Sequence, residues 1–374
     1  MRVAFVCGGL RPRECGVSDY VVRLIGALGQ RVEPVVLAAA PAEAPFDVLT
    51  PCTDWRLRDV LAVVRTVRRL DPDVVHLQYA PVSFRWRPAA HLLPLLVRRL
   101  VVVTAHEVDA LPFRQALVAH ATATIATTPQ HAARLGAARR LRLVPIGPNI
   151  QPPTGDPGKL AREARAARNI PATAPLVVFF GFLHPVKGLE YLLRGFKQVR
   201  ERYPEARLVL AGGWESLALP GDEGQAYRDR LITLTQDLGL RPAVHLTGYL
   251  PDAAVSGLLF AADVVALPFT YGLSFKSGSL LAALAHGAPV LGTCSPNDNH
   301  DQASDYLRRV PPRDADALAD SLLELLSNPA ERLRLVQAGR HAAEPFAWSA
   351  IAEAHLDLYR TLLPMAGNLR KRAG

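Results

Sequence analysis

The chain has 374 residues, more than one hydrophobic core usually serves, so two domains are expected. Its hydrophobic content of 49% and charged content of 21% are typical of a soluble, globular protein. No apolar run reaches the roughly 18 to 20 residues of a membrane span, because Pro94, Arg98 and Arg99 interrupt the best candidate.

The opening segment, MRVAFVCGG, predicts one short buried strand. It lacks the extended apolar region and the small-residue cleavage site of a signal peptide, so a cytoplasmic protein is expected. The four cysteines, Cys7, Cys15, Cys52 and Cys294, do not have the spacing of metal ligands, and we expect them to be reduced.

Lysine and arginine total 43 against 34 for aspartate and glutamate, which gives a net charge of +9. This excess suits a phosphate-rich ligand or an anionic membrane surface, and it leaves room for peripheral contact at the inner face of a membrane. Nucleic acid is not expected as a partner, because arginines such as Arg65, Arg68 and Arg69 form no basic stripe interleaved with aromatic residues. A solvated, arginine-rich surface accounts for most of the charge.

Strand-like runs alternate with helical periodicity along the chain, which indicates parallel sheets covered by helices on both faces. The first half predicts strands at Arg2–Cys7, Val35–Ala38, Val74–Gln78, Val101–Thr104, Thr124–Thr127 and Leu141–Val144. A crossover helix is predicted where Leu57, Val60, Leu61, Val64 and Val67 form one apolar face. The pattern then stops at a proline- and glycine-rich stretch, residues 145–157, which predicts a linker.

The second half predicts another set of strands with helices between or after them. The strands lie at Leu176–Phe180, Arg207–Ala211, Val244–Leu246, Val264–Leu267 and Val290–Gly292, and the helices near Leu189–Tyr203, Tyr227–Leu238, Asp314–Leu326 and Trp348–Leu363. We therefore expect two Rossmann-like domains, residues 1–150 and 151–345, followed by a C-terminal helix within 346–374. Ligands of such sheets bind at the carboxyl ends of the strands.

The segment from Ala262 to Thr293 is the most informative part of the sequence. An apolar strand leads into a loop, and a Ser-Gly-Ser step then opens a helix that ends at His286 and Gly287. Small residues let a ligand approach the backbone, and the unpaired N–H groups of the first turn favour an anion such as phosphate. The four residues of this turn are Ser277, Gly278, Ser279 and Leu280. The alternative is an ordinary strand–loop–helix unit with a serine N-cap.

Three further positions could carry chemistry. Gly8, Gly9 and Gly16 flank a loop that enters a helix, so the backbone donors of Gly16 and Val17 could meet a diphosphate, or these glycines only permit a tight turn. Their spacing is not that of dinucleotide enzymes, which argues against NAD as a cofactor.

Lys187 and His106 each follow a predicted strand. Lys187 could reach a phosphate leaving group as a point charge. His106 could hydrogen-bond a sugar hydroxyl or orient an acceptor, or it is a loop histidine paired with Glu107. His76 is assigned to the sheet. No metal site is expected, because His300, Asp301 and Asp252 do not form a ligand cluster.

The order of several segments resembles family 4 retaining glycosyltransferases of the GT-B fold. AALAHGAPV at 282–290 matches the family's donor-binding helix, whose usual form reads E-A-x-A-x-G-x-P-V. The other matching segments are GGLRPRECGVSDY (8–20), DPDVVHLQY (71–79), VVVTAHE (101–107), FFGFLHPVKGLEYLLRGF (179–196), LVLAGG (208–213) and HLTGYLPDAA (245–254).

The resemblance implies two Rossmann-like domains that face each other across a cleft, with the last helix crossing back onto the first domain. The second domain would hold a nucleotide diphosphate sugar, and the first would bind a glycan, lipid-linked or small-molecule hydroxyl acceptor. Transfer would retain the anomeric configuration and need neither a metal nor another cofactor. The implied donor contacts are Lys187, Ser277, Gly278, Ser279 and Leu280, with Gly212, Gly213, Tyr249 and Leu250 near ribose and base; Gly16 and His106 would face the reacting centre.

The sequence departs from the family at three positions. Phe182 stands where an arginine is usual, so Lys276 or another basic residue would have to supply the second cation that neutralises the departing diphosphate. Ser274 and Ala282 stand where the family has two glutamates, so altered donor recognition is expected. Two alternatives remain open: a catalytically inactive protein that binds a sugar nucleotide or glycan, and a sugar-nucleotide epimerase on the same fold.

Overall fold

A computed structural model describes residues 1–10, 16–108, 114–136, 138–214, 221–294 and 306–365. The chain separates into two compact units. The first comprises Met1–Gly147 together with Pro345–Gly374, and the second comprises Pro148–Glu344. Each unit is built around its own parallel sheet, as the alternation of strand and helix patterns predicts.

The first unit contains a seven-stranded sheet in the order β3-β2-β1-β4-β5-β6-β7. Its strands are β1 (Arg2–Cys7), β2 (Glu33–Leu37), β3 (Asp47–Leu49), β4 (Val74–Tyr79), β5 (Leu100–Ala105), β6 (Ala123–Ala126) and β7 (Leu141–Leu143). All neighbouring pairs are parallel. Strands β4 and β5 are buried along their whole length, because helices cover both faces of the sheet.

The helices of the first unit come from both ends of the chain. They are α1 (Gly16–Leu28), α2 (Leu57–Leu70), α3 (Leu93–Leu96), α4 (Arg114–Ala119), α5 (Pro129–Leu135) and α13 (Trp348–Leu362). Helix α13 packs beside α1, and its apolar face shares one core with residues of β1 and β4. The C-terminal helix is therefore part of the hydrophobic core of the first unit.

The second unit contains a six-stranded sheet in the order β10-β9-β8-β11-β12-β13. Its strands are β8 (Leu176–Phe180), β9 (Arg207–Ala211), β10 (Val244–Gly248), β11 (Val264–Leu267), β12 (Val290–Thr293) and β13 (Arg308–Val310). Its helices are α6 (Pro157–Ala166), α7 (Leu189–Arg202), α8 (Gly221–Asp237), α9 (Asp252–Ala261), α10 (Gly278–Ala285), α11 (Ala315–Ser327) and α12 (Pro329–Ala343). Side-chain caps start α6, α11 and α12, where Asp156, Asp314 and Asn328 accept hydrogen bonds from first-turn amides.

Both sheets are doubly wound, so the prediction of two Rossmann-like units is confirmed. The strand order reverses between β1 and β4 in the first unit and between β8 and β11 in the second. Ligands of open α/β sheets bind outside the carboxyl ends of strands at such a reversal. Within the described ranges, no helix combines the length and the apolar character that crossing a membrane requires.

Candidate functional site

The carboxyl ends of β8, β9 and β10 meet through a row of glycines. The amide of Gly212 donates to the carbonyl of Gly248 at 3.1 Å, and the amide of Gly181 donates to the carbonyl of Ala211 at 3.0 Å. A Cβ atom at Gly212 would lie 1.9 Å from the carbonyl oxygen of Gly181, and Gly212 has a φ of +155°. Only glycine allows this approach, so the strand ends pack backbone against backbone.

Aromatic side chains surround this bare backbone. A Cβ at Gly213 would lie 3.6 Å from the ring of Phe182 and 3.9 Å from Cβ of Tyr249. Tyr249 is half exposed, and the ring of Trp214 lies 4.7 Å below the guanidinium of Arg228. The sequence predicted that Gly213 and Tyr249 lie near a ribose and base, and the structure brings the two together. The side chain of Leu250, the next residue of the predicted loop, is partly buried and packs against the core.

Lys187 lies in the loop that follows β8. A short 3-10 helix, Pro185–Lys187, places its ammonium 3.6 Å from the centroid of the Phe269 ring. Desolvation lowers the pKa of Lys187 to about 8. Among the residues that the structure describes, no carboxylate lies within 4.0 Å of this ammonium. Lys187 is thus a half-buried cation without a carboxylate counterion in the described chain.

Helix α10 begins beside the same loop. Ser277 is its N-cap, and its Oγ accepts from the amide of Leu280 at 3.3 Å. The amide of Ser277 donates to the carbonyl of Ser274 at 2.9 Å, so two of the four predicted backbone donors are used and the amides of Gly278 and Ser279 remain. A Cβ at Gly181 would lie 2.9 Å from Ser279 Oγ, so the β8 loop touches the start of α10. Lys187 and this helix start therefore share the edge of the sheet where the strand order reverses.

Asn149 is a residue that the sequence analysis missed. A Cβ at Gly278 would lie 2.1 Å from Asn149 Oδ1 and 2.5 Å from its Nδ2. The amide group of Asn149 thus covers the first turn of α10, where the anion was predicted. The sequence offered little signal for it, because Asn149 lies in a proline- and glycine-rich stretch that reads as a linker.

The three positions that depart from the family pattern differ in their surroundings. Ala282 is fully buried within α10, and its carbonyl accepts from His286 Nδ1 at 2.7 Å. Ser274 is exposed, and its Oγ accepts from the amide of Lys276 at 3.3 Å. Phe182 lies against Gly213. These three positions therefore supply neither a carboxylate nor a cation, and the described part of this edge presents backbone donors, aromatic rings and Lys187.

In the first unit, Gly16 and Val17 form the start of α1. A Cβ added at Gly16 would meet no atom of the described residues within 4 Å. Gly8 differs, because its Cβ would lie 1.9 Å from the carbonyl of Ser83 and its own carbonyl accepts from Trp55 Nε1 at 2.9 Å. Gly8 thus has a packing role, whereas no described residue crowds Gly16.

His106 follows β5 at the carboxyl edge of the first sheet. Its Nε2 lies 2.9 Å from Gln78 Oε1, and its ring contacts the ring of Tyr20 edge-on at 4.7 Å. Desolvation, with a smaller contribution from His355, lowers the pKa of His106 to about 3. Tyr20 lies one turn into α1, so His106 and the start of α1 share this edge. His76 is fully buried in β4, as predicted.

The described part of the chain contains no group of three or more histidine, cysteine, aspartate or glutamate side chains able to hold a metal ion. His300 and Asp301 lie outside the described residues, and Asp252 is in the first turn of α9. The described cysteines, Cys7, Cys52 and Cys294, form no disulfide with one another.

Comparison with known proteins agrees with these two units. Residues 161–342 match the family model "Glycosyl transferases group 1". A D-inositol 3-phosphate glycosyltransferase from Corynebacterium urealyticum is 32% identical over 235 residues, covering 60% of this chain and 52% of that protein. A phosphatidyl-myo-inositol mannosyltransferase from Mycobacterium tuberculosis is 30% identical over 235 residues, covering 60% and 57%. The chain thus spans about half the length of the curated relatives it matches.

Similar solved structures extend over nearly the whole chain. Sucrose-phosphate synthase from Thermosynechococcus elongatus superposes with a TM-score of 0.75 at 22% identity, covering 98% of this chain and 100% of that one. HepE from Anabaena, solved in complex with UDP-glucose, superposes with a TM-score of 0.73 at 17% identity, covering 97% and 100%. At such identities the likeness establishes the fold. Residues 161–342, within the second unit, thus match the model of a glycosyl transferases group 1 domain, and the two Rossmann-like units have the GT-B fold.

Proposed function

We propose that the protein is a glycosyltransferase that moves a sugar from a nucleoside diphosphate sugar to a hydroxyl acceptor. Transfer retains the anomeric configuration and needs no divalent metal ion. The acceptor is a glycan, a lipid-linked sugar or a small molecule, and the names of the relatives, which include inositol phosphate and phosphatidyl-inositol enzymes, favour a phosphorylated or lipid-linked acceptor. The enzyme works in the cytoplasm, with peripheral contact at the inner face of the membrane.

The observation that carries the proposal is that Lys187 and the start of α10 lie at the same edge of the second sheet. A half-buried ammonium without a described carboxylate partner gains most from a polyanionic ligand, because the ligand restores the charge interactions that burial removed. The first-turn amides of Gly278 and Ser279 add directional donors and the positive end of the helix dipole. Together they supply the charge that a departing diphosphate requires without a metal ion.

The reaction needs no side chain as a base. The bond between the anomeric carbon and the phosphate oxygen breaks, and the acceptor oxygen attacks the same face of that carbon. The acceptor's proton passes to an oxygen of the departing diphosphate. His106 is neutral at working pH, since its pKa is about 3, and this suits hydrogen bonding to a hydroxyl better than proton abstraction.

Incubating the purified protein with nucleotide sugars and candidate acceptors, with and without EDTA, tests this function. We expect release of nucleoside diphosphate and a glycosylated product whose anomeric configuration, measured by NMR, matches that of the donor. A product of inverted configuration, or activity that EDTA abolishes and magnesium restores, would contradict the proposal.

Two other functions make different predictions for the same experiment. Ser274, Ala282 and Phe182 favour an inactive protein that only binds a sugar nucleotide or glycan, and for it no donor would turn over. An epimerase would convert the donor in the absence of any acceptor. NMR of acceptor-free reactions distinguishes the epimerase from the transferase.

A further inference from the structure

A continuous set of polar side chains lies inside the first unit, on one face of its sheet. His76 and Gln78 are two residues apart on β4, so they share a face, and Thr104 lies directly opposite Gln78 on β5. All three side chains are fully buried. Burial of polar groups in the centre of a parallel sheet costs free energy unless each group is hydrogen-bonded. The hydrogen bonds of these three side chains therefore show which neighbouring side chains they hold in place.

The amide of Gln78 bridges two histidines. Its nitrogen lies 3.1 Å from His76 Nε2, and its oxygen lies 2.9 Å from His106 Nε2. Thr104 Oγ1 lies 2.7 Å from the same nitrogen of His76. With the Gln78 amide in this orientation, its nitrogen donates and its oxygen accepts, so His106 Nε2 carries a proton and His76 Nε2 accepts from Gln78 and from the Thr104 hydroxyl. His76 then carries its proton on Nδ1 and donates to Tyr359 Oη at 2.6 Å. In neutral His106 the lone pair is left on Nδ1.

Helix α13, which contains Tyr359, also reaches His106 indirectly, through His355 and then Tyr20 of α1. His355 Nδ1 donates to the carbonyl of Ile351 at 2.8 Å, so its Nε2 carries the lone pair and accepts from Tyr20 Oη at 3.4 Å. The ring of Tyr20 meets His106 edge-on. Desolvation lowers the pKa of His355 to about 4 and that of His76 well below its usual range, so both rings are neutral, as this pattern requires.

We propose that Gln78 is a positioning residue, which holds His106 as the Nε2–H tautomer and so presents the Nδ1 lone pair to a hydroxyl of the bound sugar or acceptor. His76 and Tyr359 fix the orientation of the Gln78 amide, and α13 thereby supports a group at the edge of the sheet. This inference rests on the proposed function for the identity of the hydroxyl, whereas the tautomer is a property of the free protein.

A fixed hydrogen-bond partner restricts both the tautomer of His106 and the orientation of its ring. A histidine without a fixed partner exchanges tautomers and turns its ring, and only one arrangement presents Nδ1 as an acceptor. Methionine has nearly the length of glutamine but cannot hydrogen-bond the imidazole, so Gln78→Met removes the partner with little change in volume. We expect kcat to fall about tenfold to a hundredfold, the scale of a misplaced catalytic group. The affinity for nucleoside diphosphate, which belongs to the second unit, should remain within about twofold.

NMR of protein labelled with ¹⁵N-histidine tests the inference without any substrate, with His106→Asn used to assign the resonance. We expect the Nε2–H tautomer for His106 and the Nδ1–H tautomer for His76 in the parent. In Gln78→Met, His106 should show both tautomers, and Tyr359→Phe should show the same change to a smaller degree. Gln198→Met, the same substitution on α7 of the second unit, should change neither the spectrum nor kcat.

An Nδ1–H tautomer of His106 in the parent overturns the inference whether or not the variants fold. So does a folded Gln78→Met variant with an unchanged tautomer and unchanged kcat. The proposed function fails separately: if no nucleotide sugar is turned over, the tautomer measurement in the free protein still decides the role of Gln78.

Discussion

The two units present the same edge of the same type of sheet, yet they equip it in different ways. In the first unit, His106 is held by buried side chains: Gln78 through a hydrogen bond and Tyr20 through an edge-on ring contact. In the second unit the edge is mostly bare backbone, with Lys187 as its half-buried cation. Side-chain networks fix a rotamer and a tautomer, whereas backbone donors fix the position of an anion without choosing its identity. Changes in the first unit should thus alter turnover alone, whereas changes in the second should alter the binding of nucleoside diphosphate as well.

The largest expected effect comes from removing the cation of the second unit. Lys187→Ala should weaken nucleoside diphosphate binding and reduce turnover by about ten- to a thousandfold, the scale of losing one charge-stabilising group. Initial rates and calorimetry measure the two effects. Lys197→Ala, which removes an exposed lysine from α7, is the matched control. A folded Lys187→Ala variant with parental kinetics would remove Lys187 from the site.

Gly278→Val tests the backbone donors directly. The added side chain must displace the amide of Asn149, which lies 2.1 Å from the new Cβ, and it projects over the first-turn amides. We expect nucleoside diphosphate affinity to fall by about tenfold to a hundredfold, the range for lost hydrogen bonds to a charged group, with the fold retained. Circular dichroism and calorimetry are the measurements.

Two controls separate the possible causes of a loss at Gly278. Gly26→Val makes the same change in α1, where an added Cβ meets no atom within 4 Å, and it should leave binding unchanged. The double variant Asn149→Ala/Gly278→Ala removes the clash but keeps a Cβ at the helix start. If Gly278→Val binds nucleoside diphosphate as tightly as the parent, this turn is only a structural cap.

The pKa of Lys187 predicts a pH dependence of binding. Burial lowers the pKa to about 8 in the free protein, and a bound diphosphate favours the protonated lysine. Above pH 8 the free protein loses this charge, so affinity should fall by up to about tenfold per pH unit, with one proton taken up on binding. Lys187→Arg keeps its charge and should show a flat profile. A flat profile in the parent would contradict the assignment.

The smallest expected effect is that of a chelator. Lys187 and the start of α10 supply the positive charge at the leaving group, so EDTA should leave the rate of transfer within about twofold of its value in untreated enzyme. Added magnesium or manganese should not raise it.

The sequence predicted the buried strands well, because strands covered on both faces are continuous apolar runs. It missed β3 and β13. Each has three residues and contains charged side chains, Asp47 in one and Arg308 and Arg309 in the other. These strands lie at sheet edges, where pairing depends on the neighbouring strand more than on their own composition.

The candidate site likewise contains residues that the sequence predicted and residues that it did not. The helix start at Ser277 and the position of Lys187 follow from local pattern, since a strand, a loop and a helix fix where both lie. Asn149 and Gln78 did not follow, because their roles depend on contacts with residues distant in sequence: Gly278 for one, and His106 with His76 for the other. A glutamine and a histidine at alternate positions of a buried strand were the available signal.

A thermal-shift panel of nucleoside diphosphates and nucleotide sugars tests the central claim, that the second unit binds a nucleoside diphosphate without a metal ion. A ligand that binds only the folded protein raises its stability by about 2.7 kcal/mol at a hundredfold excess over Kd. We predict that at least one nucleoside diphosphate raises the Tm of the parent in EDTA, and that the rise is strongly reduced in Lys187→Ala. No shift with any ligand in the parent, or an equal shift in Lys187→Ala, would contradict the account.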